Sequence, residues 1–334
     1  MTIKTVNSGF ESFIKDFVNL DEDNTKTARS SRDWLYEQLK DFPNKVDNFP
    51  SLYSGKETKG FGSFQRRTKI RPLDDIDFLL VFKGEGTTYT EYSVDEIELN
   101  VPDSSEKLRK LCNADNKLNS IKVVEKIKNS LSNIPQYQKA EIHRRQEAAT
   151  LKMTSYDWNF DIVPAFITNE DSFGKNYYII PNGNGKWKKT DPRIDNDRTR
   201  NTNKKFDGSI LEFIRLIKYW NCNSNTPKVS SYLMENIILD YFDGKHSWIG
   251  RKEEIRDFFF NLKTSIFLSH YDPKGIQGDL NDLDYDIKVK ISNHAGNCYD
   301  YASEAIELES QSEHKKAVEK WRTIFGNDFP ECDE

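Results

Sequence analysis

The chain has 334 residues with a formal net charge of −5; 36% of it is hydrophobic against 31% charged, and 21 Phe and 15 Tyr supply ample core material. That balance excludes a disordered chain, and the negative sign excludes attachment to nucleic acid through bulk positive charge. Cys112, Cys222, Cys298 and Cys332 show no C-x-x-C spacing, and His143, His246, His270, His294 and His314 never fall at i, i+4 or in H-x-E, so neither a disulfide framework nor a zinc site is indicated. No run approaches the roughly 18 apolar residues of a membrane span, and the N-terminus lacks a basic segment followed by an apolar one, so a cytoplasmic protein is expected.

Apolar residues recur at helical spacing from Ser8 to Leu39 (Phe10, Phe13, Ile14, Phe17, Val18, then Trp34, Leu35, Leu39), interrupted by the polar run LDEDNTKTARSSRD. The spacing predicts two helices, or one long helix with an irregular middle. Pro43, Pro50, Gly55 and Gly60 mark a loop. Ile76 to Phe82 is the clearest strand, short, apolar and β-prone between Pro72 and Gly84. The segment from Ser104 to Gln138 is predicted mostly helical from Ile121, Val124, Ile127 and Leu131. AEIHRRQEAATLKM and WNFDIVPAFI predict two further strands, the second ending where Pro164 stops ladder pairing. Asn169 to Asp207 is expected to be a hairpin followed by a long polar loop, with the domain boundary near its end. This gives a first domain over residues 1–207 and a helical one over 208–334, built from SILEFIRLIKYWN, SSYLMENIILDYF, IRDFFFNLKTSIFL and a last stretch from Ala295 to Phe325.

Chemistry concentrates in Phe61 to Phe82, FGSFQRRTKIRPLDDIDFLLVF. Side chains alternate along a strand, so Asp75 and Asp77 project to one face about 6 to 7 Å apart, while Asp74 and Ile76 point the other way. Two like charges so close become reasonable when divalent cations lie between them, because hard cations such as Mg²⁺ take oxygen ligands and need only one or two carboxylates plus substrate phosphates. Asp161, in WNFDIVPAF, is the natural third acid. Upstream, Gly62 and Ser63, read as leading into a strand, offer backbone N–H groups and a hydroxyl to a triphosphate. The plainer alternative is that the acids cap a strand end or pair with Arg66, Arg67 and Arg71.

GSFQRRTKIRPLDDIDFLLVF, FDIVPAF, IRLIKYWN, SSYLMENIIL and WRTIFGNDFP, in that order, resemble the bacterial cGAS/DncV-like nucleotidyltransferases, the CD-NTases. The resemblance covers about Gly60 to Pro330. It implies an α/β (α+β) fold: a polymerase-β-like nucleotidyltransferase core with a mixed sheet, a C-terminal helical domain, and a long N-terminal helix joining the two. It also implies attack of a ribose hydroxyl on the α-phosphate of a nucleoside triphosphate with pyrophosphate leaving, to give a cyclic di- or trinucleotide second messenger that activates an effector protein in antiphage defence. Asp75, Asp77 and Asp161 match the family's metal-binding carboxylates, for two Mg²⁺ ions with Mn²⁺ as the alternative. Gly62 and Ser63 match its triphosphate motif. Lys218, in IRLIKYWN, resembles a lysine directed at the triphosphate, against the alternative of a solvated helix lysine. Ser231 resembles a donor-nucleotide contact, although Ser230 fits that position or a helix N-cap equally.

Other readings stay open at this point. The same core would serve nucleotide transfer to tRNA, protein or a small molecule, or a non-catalytic nucleotide sensor. PNGNGKW reads as a hairpin turn or as a phosphate-cradling loop. The basic run from Lys186 to Lys205 reads as a solvated loop, a lid over triphosphates, or a nucleic-acid surface, and the overall charge argues against a nucleic-acid activator. Asp191-Pro192 stands where the family often has Asn-Pro at a ribose contact. The chain given ends in acids, so no conjugation through a small terminal residue is predicted.

Overall fold

Thr5 and Ser8 open the first helix with a reciprocal capping box, each side chain accepting from the other's backbone N–H, and α1 runs Val6–Phe13 with Phe10 and Phe13 buried. A π-helical turn, Ile14–Val18, ends at the extended Asn19. Helix α2 (Glu22–Lys40) follows and includes most of the polar run expected to be irregular. The N-terminal helix is therefore divided, and only 19–21 break it.

The computed structural model describes residues 3–55, 60–153 and 155–332; residues 56–59 of the expected loop and the terminal acids Asp333 and Glu334 lie outside the described residues. Beyond α2 come the short helices α3 (Phe42–Lys45) and α4 (Gly62–Arg66), then strands β1 (Asp75–Phe82), β2 (Thr88–Ser93) and β3 (Glu96–Asn100). Helices α5 (Glu106–Arg109) and α6 (Ser120–Leu131) precede β4 (Glu141–Arg145), β5 (Ala148–Lys152), β6 (Asn159–Ile167), β7 (Tyr178–Pro181) and β8 (Trp187–Thr190). The rest is helical: α7 (Pro192–Lys205), α8 (Ser209–Asn223), α9 (Ser231–Asp243), α10 (Arg251–Ser265), α11 (Tyr285–Ser310) and α12 (His314–Phe325).

The chain divides into two compact units. One takes the described residues of Glu22–Arg66 with Leu73–Asn196; the other takes 3–21, Arg67–Pro72 and 197–332. The division differs from the expected boundary at residue 207. It falls inside α7, and α1 belongs with the later helices rather than with the sheet.

The sheet unit holds eight strands in the order β2-β3-β8-β7-β6-β5-β4, with β1 added parallel to β6. β1 pairs along β6 from Asn159 to Phe166, while β5 pairs with Asn159 to Ile162 and β7 with Phe166 and Ile167. Pro164 consequently does not end the strand. Its missing N–H falls in the gap between the end of β5 pairing and the start of β7 pairing, where no ladder bond is lost. AEIHRRQEAATLKM is likewise two strands, not one: β4 and β5 form a hairpin that turns at Gln146, φ +44°. On one face of β1 and β6, Phe78, Phe82, Phe160 and Phe166 are buried and pack with Tyr36, Phe49 and Trp187 at ring separations of 5.3 to 6.4 Å. The opposite face carries a second core of Leu79, Val81, Val163 and Ala165 with Ala148, Tyr178 and Ile180.

The hairpin expected at PNGNGKW is present. Gly183 and Gly185 take φ +88° and +92° between β7 and β8, and Asn182 donates to the Lys186 carbonyl across the turn. The long polar loop expected after it is instead helix α7. Pro192 stands at its first position and the preceding Asp191 accepts from Arg193 N–H at 3.1 Å, so the Asp-Pro pair is a helix start. Strands β2 and β3 had no counterpart among the expected elements. The helical unit is built on one large apolar core in which Phe10 meets Trp321 and Phe329 with ring centroids 5.0 Å apart, and Phe213 meets Phe242 and Phe258.

Candidate active site

Parallel pairing of β1 with β6 sets Asp75 opposite Asn159 and Asp77 opposite Asp161. Residues paired in register project to the same face, so Asp75, Asp77 and Asp161 share the face that Leu79, Val81, Val163 and Ala165 make apolar further along. Acids occupy the half where the strands begin and hydrocarbons the half where they end. All three carboxylates are half-buried. Among the described residues, no three His, Cys, Asp or Glu side chains lie close enough to hold an ion as they stand. The register brings the backbones together, and side-chain rotation would have to close the set.

Asp161 is held by a residue the sequence did not point to. Thr150 on β5, the register partner of Asp161 and almost fully buried, donates its hydroxyl to Asp161 Oδ1 at 2.6 Å. No sequence pattern marks Thr150, because its role comes from the β5–β6 register. Burial pushes the Asp161 pKa up, the Thr150 hydroxyl and Arg145 pull it back, and the charges of Asp75 and Asp74 add to the rise; the net direction is up. A carboxylate raised mainly by burial, with neighbouring acids adding to the rise, is one a cation would stabilise.

Gly62 and Ser63 open α4, a helix of five residues, rather than leading directly into a strand. At φ +69° Gly62 takes a backbone conformation that side chains disfavour, and an added Cβ would lie 2.9 Å from Asp77 Cγ and closer still to Oδ2. The glycine thus lets the Gly-Ser turn sit directly against the second acid. Of the predicted site residues, the structure brings Gly62, Asp75, Asp77 and Asp161 into one neighbourhood, with Ser63 next in the chain to Gly62.

No known family model matches the chain. Over 328 residues it is 64% identical to a probable cyclic nucleotide synthase of Bacillus cereus, a match covering 98% of each chain. The chain belongs to the cGAS/DncV-like nucleotidyltransferases. A cyclic AMP-AMP-AMP synthase of Acinetobacter is 22% identical over 202 residues, 58% of this chain and 56% of that one. In fold, the nucleotidyltransferase is similar to Escherichia coli CdnC solved in complex with HORMA-deltaN, at TM-score 0.70 and 16% identity over 97% of this chain and 98% of that chain. It is also similar to the apo form of Vibrio cholerae DncV, at TM-score 0.57 and 19% identity over 80% of this chain and 68% of that chain. The expected fold class, a mixed sheet with a helical part, is what these similarities and the strand topology show.

The two remaining predicted residues lie in the helical unit of the nucleotidyltransferase. Lys218, on α8, is only 3% exposed, and its Nζ donates to Glu235 Oε1 at 2.6 Å. It is neither the solvated helix lysine nor a cation presented to solvent for a triphosphate; its partner, Glu235 on α9, balances it inside the core. On α9, Ser230 is the N-cap and accepts from Leu233 N–H at 3.3 Å, which leaves Ser231 exposed as the first helical residue. Asp191, at the position of the family's Asn-Pro, is engaged by the Arg193 guanidinium at 2.7 and 2.8 Å. No helix among the described residues is long and apolar enough to cross a membrane.

Proposed function

We propose that this nucleotidyltransferase joins nucleoside triphosphates into a cyclic di- or trinucleotide, releasing pyrophosphate, with Mg²⁺ or Mn²⁺ held by Asp75, Asp77 and Asp161. The observation that carries the reading is the Asp77–Asp161 register, with Asp75 on the same face and Gly62 against the Asp77 carboxylate. Half-buried acids gathered on one face of paired strands, with the Asp161 pKa raised by burial and further by the charge of Asp75, are a donor set suited to hard divalent cations. Two such ions, when bound, would lower the pKa of an attacking ribose hydroxyl and offset charge on the departing pyrophosphate. Asp75 and Asp77 would supply the shared ligands, and Asp161 would complete the set and accept the hydroxyl proton, oriented by Thr150. Gly62 would let the backbone approach the triphosphate and Ser63 would add a hydroxyl to it. The names of two relatives, a probable cyclic nucleotide synthase and a cyclic AMP-AMP-AMP synthase, support a cyclic product. A separate effector protein would read that product, in the antiphage setting the family resemblance implies.

The test is incubation of the purified protein with all four nucleoside triphosphates and Mg²⁺, followed by mass spectrometry. A cyclic oligonucleotide formed without any added acceptor is expected, and Asp77→Asn or Asp161→Asn should abolish it while leaving thermal melting close to wild type. Incorporation that appears only when tRNA, a protein or a small-molecule acceptor is added would replace this reading with acceptor transfer.

A further inference from the structure

The row of site residues runs on past Asp161 to the edge of the sheet, all of it within the sheet unit. Asp77 on β1 stands opposite Asp161 on β6, Asp161 opposite Thr150 on β5, and Thr150 opposite His143 on β4. Residues in register share a face, and so do residues two apart on one strand. The acid face of β4 therefore carries Glu141, His143 and Arg145, while Arg144 projects to the opposite face. The Gly-Ser turn closes the other end of the row. Gly60 bridges Phe78 along the edge of β1 that β6 does not occupy, and Gly62 lies against Asp77.

The cations at the β4 end differ in what holds them. Lys152 and His143 both turn to Glu141, at 3.2 and 3.7 Å. Arg144, on the far face, pairs with Glu125 of α6 at 3.4 Å. Arg145 is exposed and bound by no carboxylate among the described residues. Its charge is felt at Asp161, two strand spacings or about 10 Å across the sheet: burial raises the Asp161 pKa, and the Thr150 hydroxyl and Arg145 oppose that rise.

In-line displacement sets the attacking oxygen opposite the leaving one across the reacting phosphorus. With the leaving pyrophosphate at the Gly62–Ser63 turn beside β1, the nucleotide that supplies the attacking hydroxyl approaches from the β5–β4 side. That nucleotide is itself a triphosphate in the first joining step, and its charge calls for a cation outside the acid set.

We infer that Arg145 is a substrate-binding residue that receives the 5′-phosphates of the acceptor nucleotide, at the opposite end of the row from the Gly62–Ser63 turn that holds the donor. A guanidinium suits the task, because its planar fork meets phosphate oxygens in pairs. The inference rests on the reading of Gly62, Ser63 and the three acids given above.

Arg145→Gln removes the charge from an exposed side chain, and Arg144→Gln is the matched control on the opposite face of the same strand. Ca²⁺ in place of Mg²⁺ slows chemistry, so binding can be read alone by equilibrium dialysis against an equimolar mixture of the four labelled nucleoside triphosphates. Wild type and Arg144→Gln should each take up two nucleotides. Arg145→Gln should bind one of them about 10- to 100-fold more weakly and the other within about twofold of wild type. In turnover, Arg145→Gln should raise KM by a similar factor with kcat within about threefold. The defect should vanish when nucleosides serve as acceptors, since they carry no phosphate to lose. A single nucleotide bound by wild type, wild-type binding in Arg145→Gln, equal losses in the two variants, or a defect of the same size with nucleoside acceptors would each overturn the inference. Should the wild type form no nucleotide product, the functional reading fails on its own, and the dialysis comparison still decides Arg145.

Discussion

Gly62 lies against Asp77 so closely that the side chain of any other residue would occupy the space of the carboxylate. The turn proposed for the triphosphate and an acid proposed for metal are therefore one packed unit, set by a residue without a Cβ. Gly62→Ala should cost about 1–2 kcal/mol for its left-handed backbone alone, and more because the methyl must displace Asp77. Gly208 is the matched control: it has φ +90° but nothing within 4 Å of an added Cβ. Chemical denaturation should show Gly208→Ala losing only the backbone cost and keeping turnover. Gly62→Ala should lose more stability and reduce product formation by about 100-fold or more. Equal turnover in the two variants would separate the Gly-Ser turn from the chemistry.

Thr150 gives a second handle. Its hydroxyl is the donor that orients Asp161, and removing it as Thr150→Val keeps the shape of a nearly fully buried side chain. Residues that hold a metal ligand in place usually change metal affinity by about 10- to 100-fold when lost. Titrating Mg²⁺ in the synthesis assay should move the half-maximal concentration up by about that factor, with maximal rate recovered in part at saturating ion. An unchanged Mg²⁺ dependence would mean that Asp161 is not a ligand.

How much of this was legible in the sequence depended on whether a residue's partner was near in the chain. β1 was readable because Ile76 to Phe82 is one apolar run between Pro72 and Gly84, and the acids before it were readable as a pair on one face. That Asp161 stands in register with Asp77 was only a matter of chain order until the strands were paired. Helix α7 was missed because Ile194 is its only large apolar residue; what holds it is a cap at Asp191, buried Thr199 and Thr202, and Arg198 bound to Asn236 and Asp240. Lys218 looked like a triphosphate ligand because Glu235, its partner, lies 17 residues further on, across two helices. Strand β6 ran past Pro164 because the unpaired N–H position depends on which neighbours stop where, and a single strand does not show its neighbours.

In the helical unit, His270 gives a pH dependence whose sign follows from its two partners. Nδ1 lies 2.6 Å from Asp240 Oδ2 and Nε2 lies 3.0 Å from the Ser265 carbonyl, so both ring nitrogens face acceptors. Burial alone would lower the His270 pKa, but Asp240 and the Ser265 carbonyl outweigh it and raise it. Asp240 shifts the other way: burial would raise it, and His270 with Arg198 holds it below the ordinary carboxylate range. A raised histidine contributes stability that is complete below its unfolded pKa of about 6.5 and fades as pH climbs through the folded value. A lowered Asp contributes above its unfolded pKa of about 3.9 and is lost as pH falls through the folded one. Urea midpoints should thus fall for the wild type on going from mildly acidic to alkaline pH, and His270→Gln should flatten that slope. Equal slopes in both proteins would show that the imidazole is neutral between its two acceptors.

The basic run that suggested a nucleic-acid surface is largely spoken for by acids. Lys186 reaches Glu98 at 3.3 Å, Lys188 reaches Glu147 at 2.7 Å, Lys189 reaches Glu91 at 2.6 Å, and on α7 Arg200 reaches Asp197 at 2.8 Å. Cations committed to nearby carboxylates release few counterions from a phosphate backbone, and that release is what drives non-specific nucleic-acid binding. Double-stranded DNA or RNA added to the synthesis assay should leave the rate unchanged at low and moderate salt. The double variant Lys188→Gln, Lys189→Gln should lose less than about 1 kcal/mol per pair in denaturation, because the pairs are partly solvated, and its turnover should match wild type with or without nucleic acid. A rate that rises with added duplex, and rises less in the double variant or at higher salt, would show that these lysines leave their glutamates for phosphate and would restore the nucleic-acid surface.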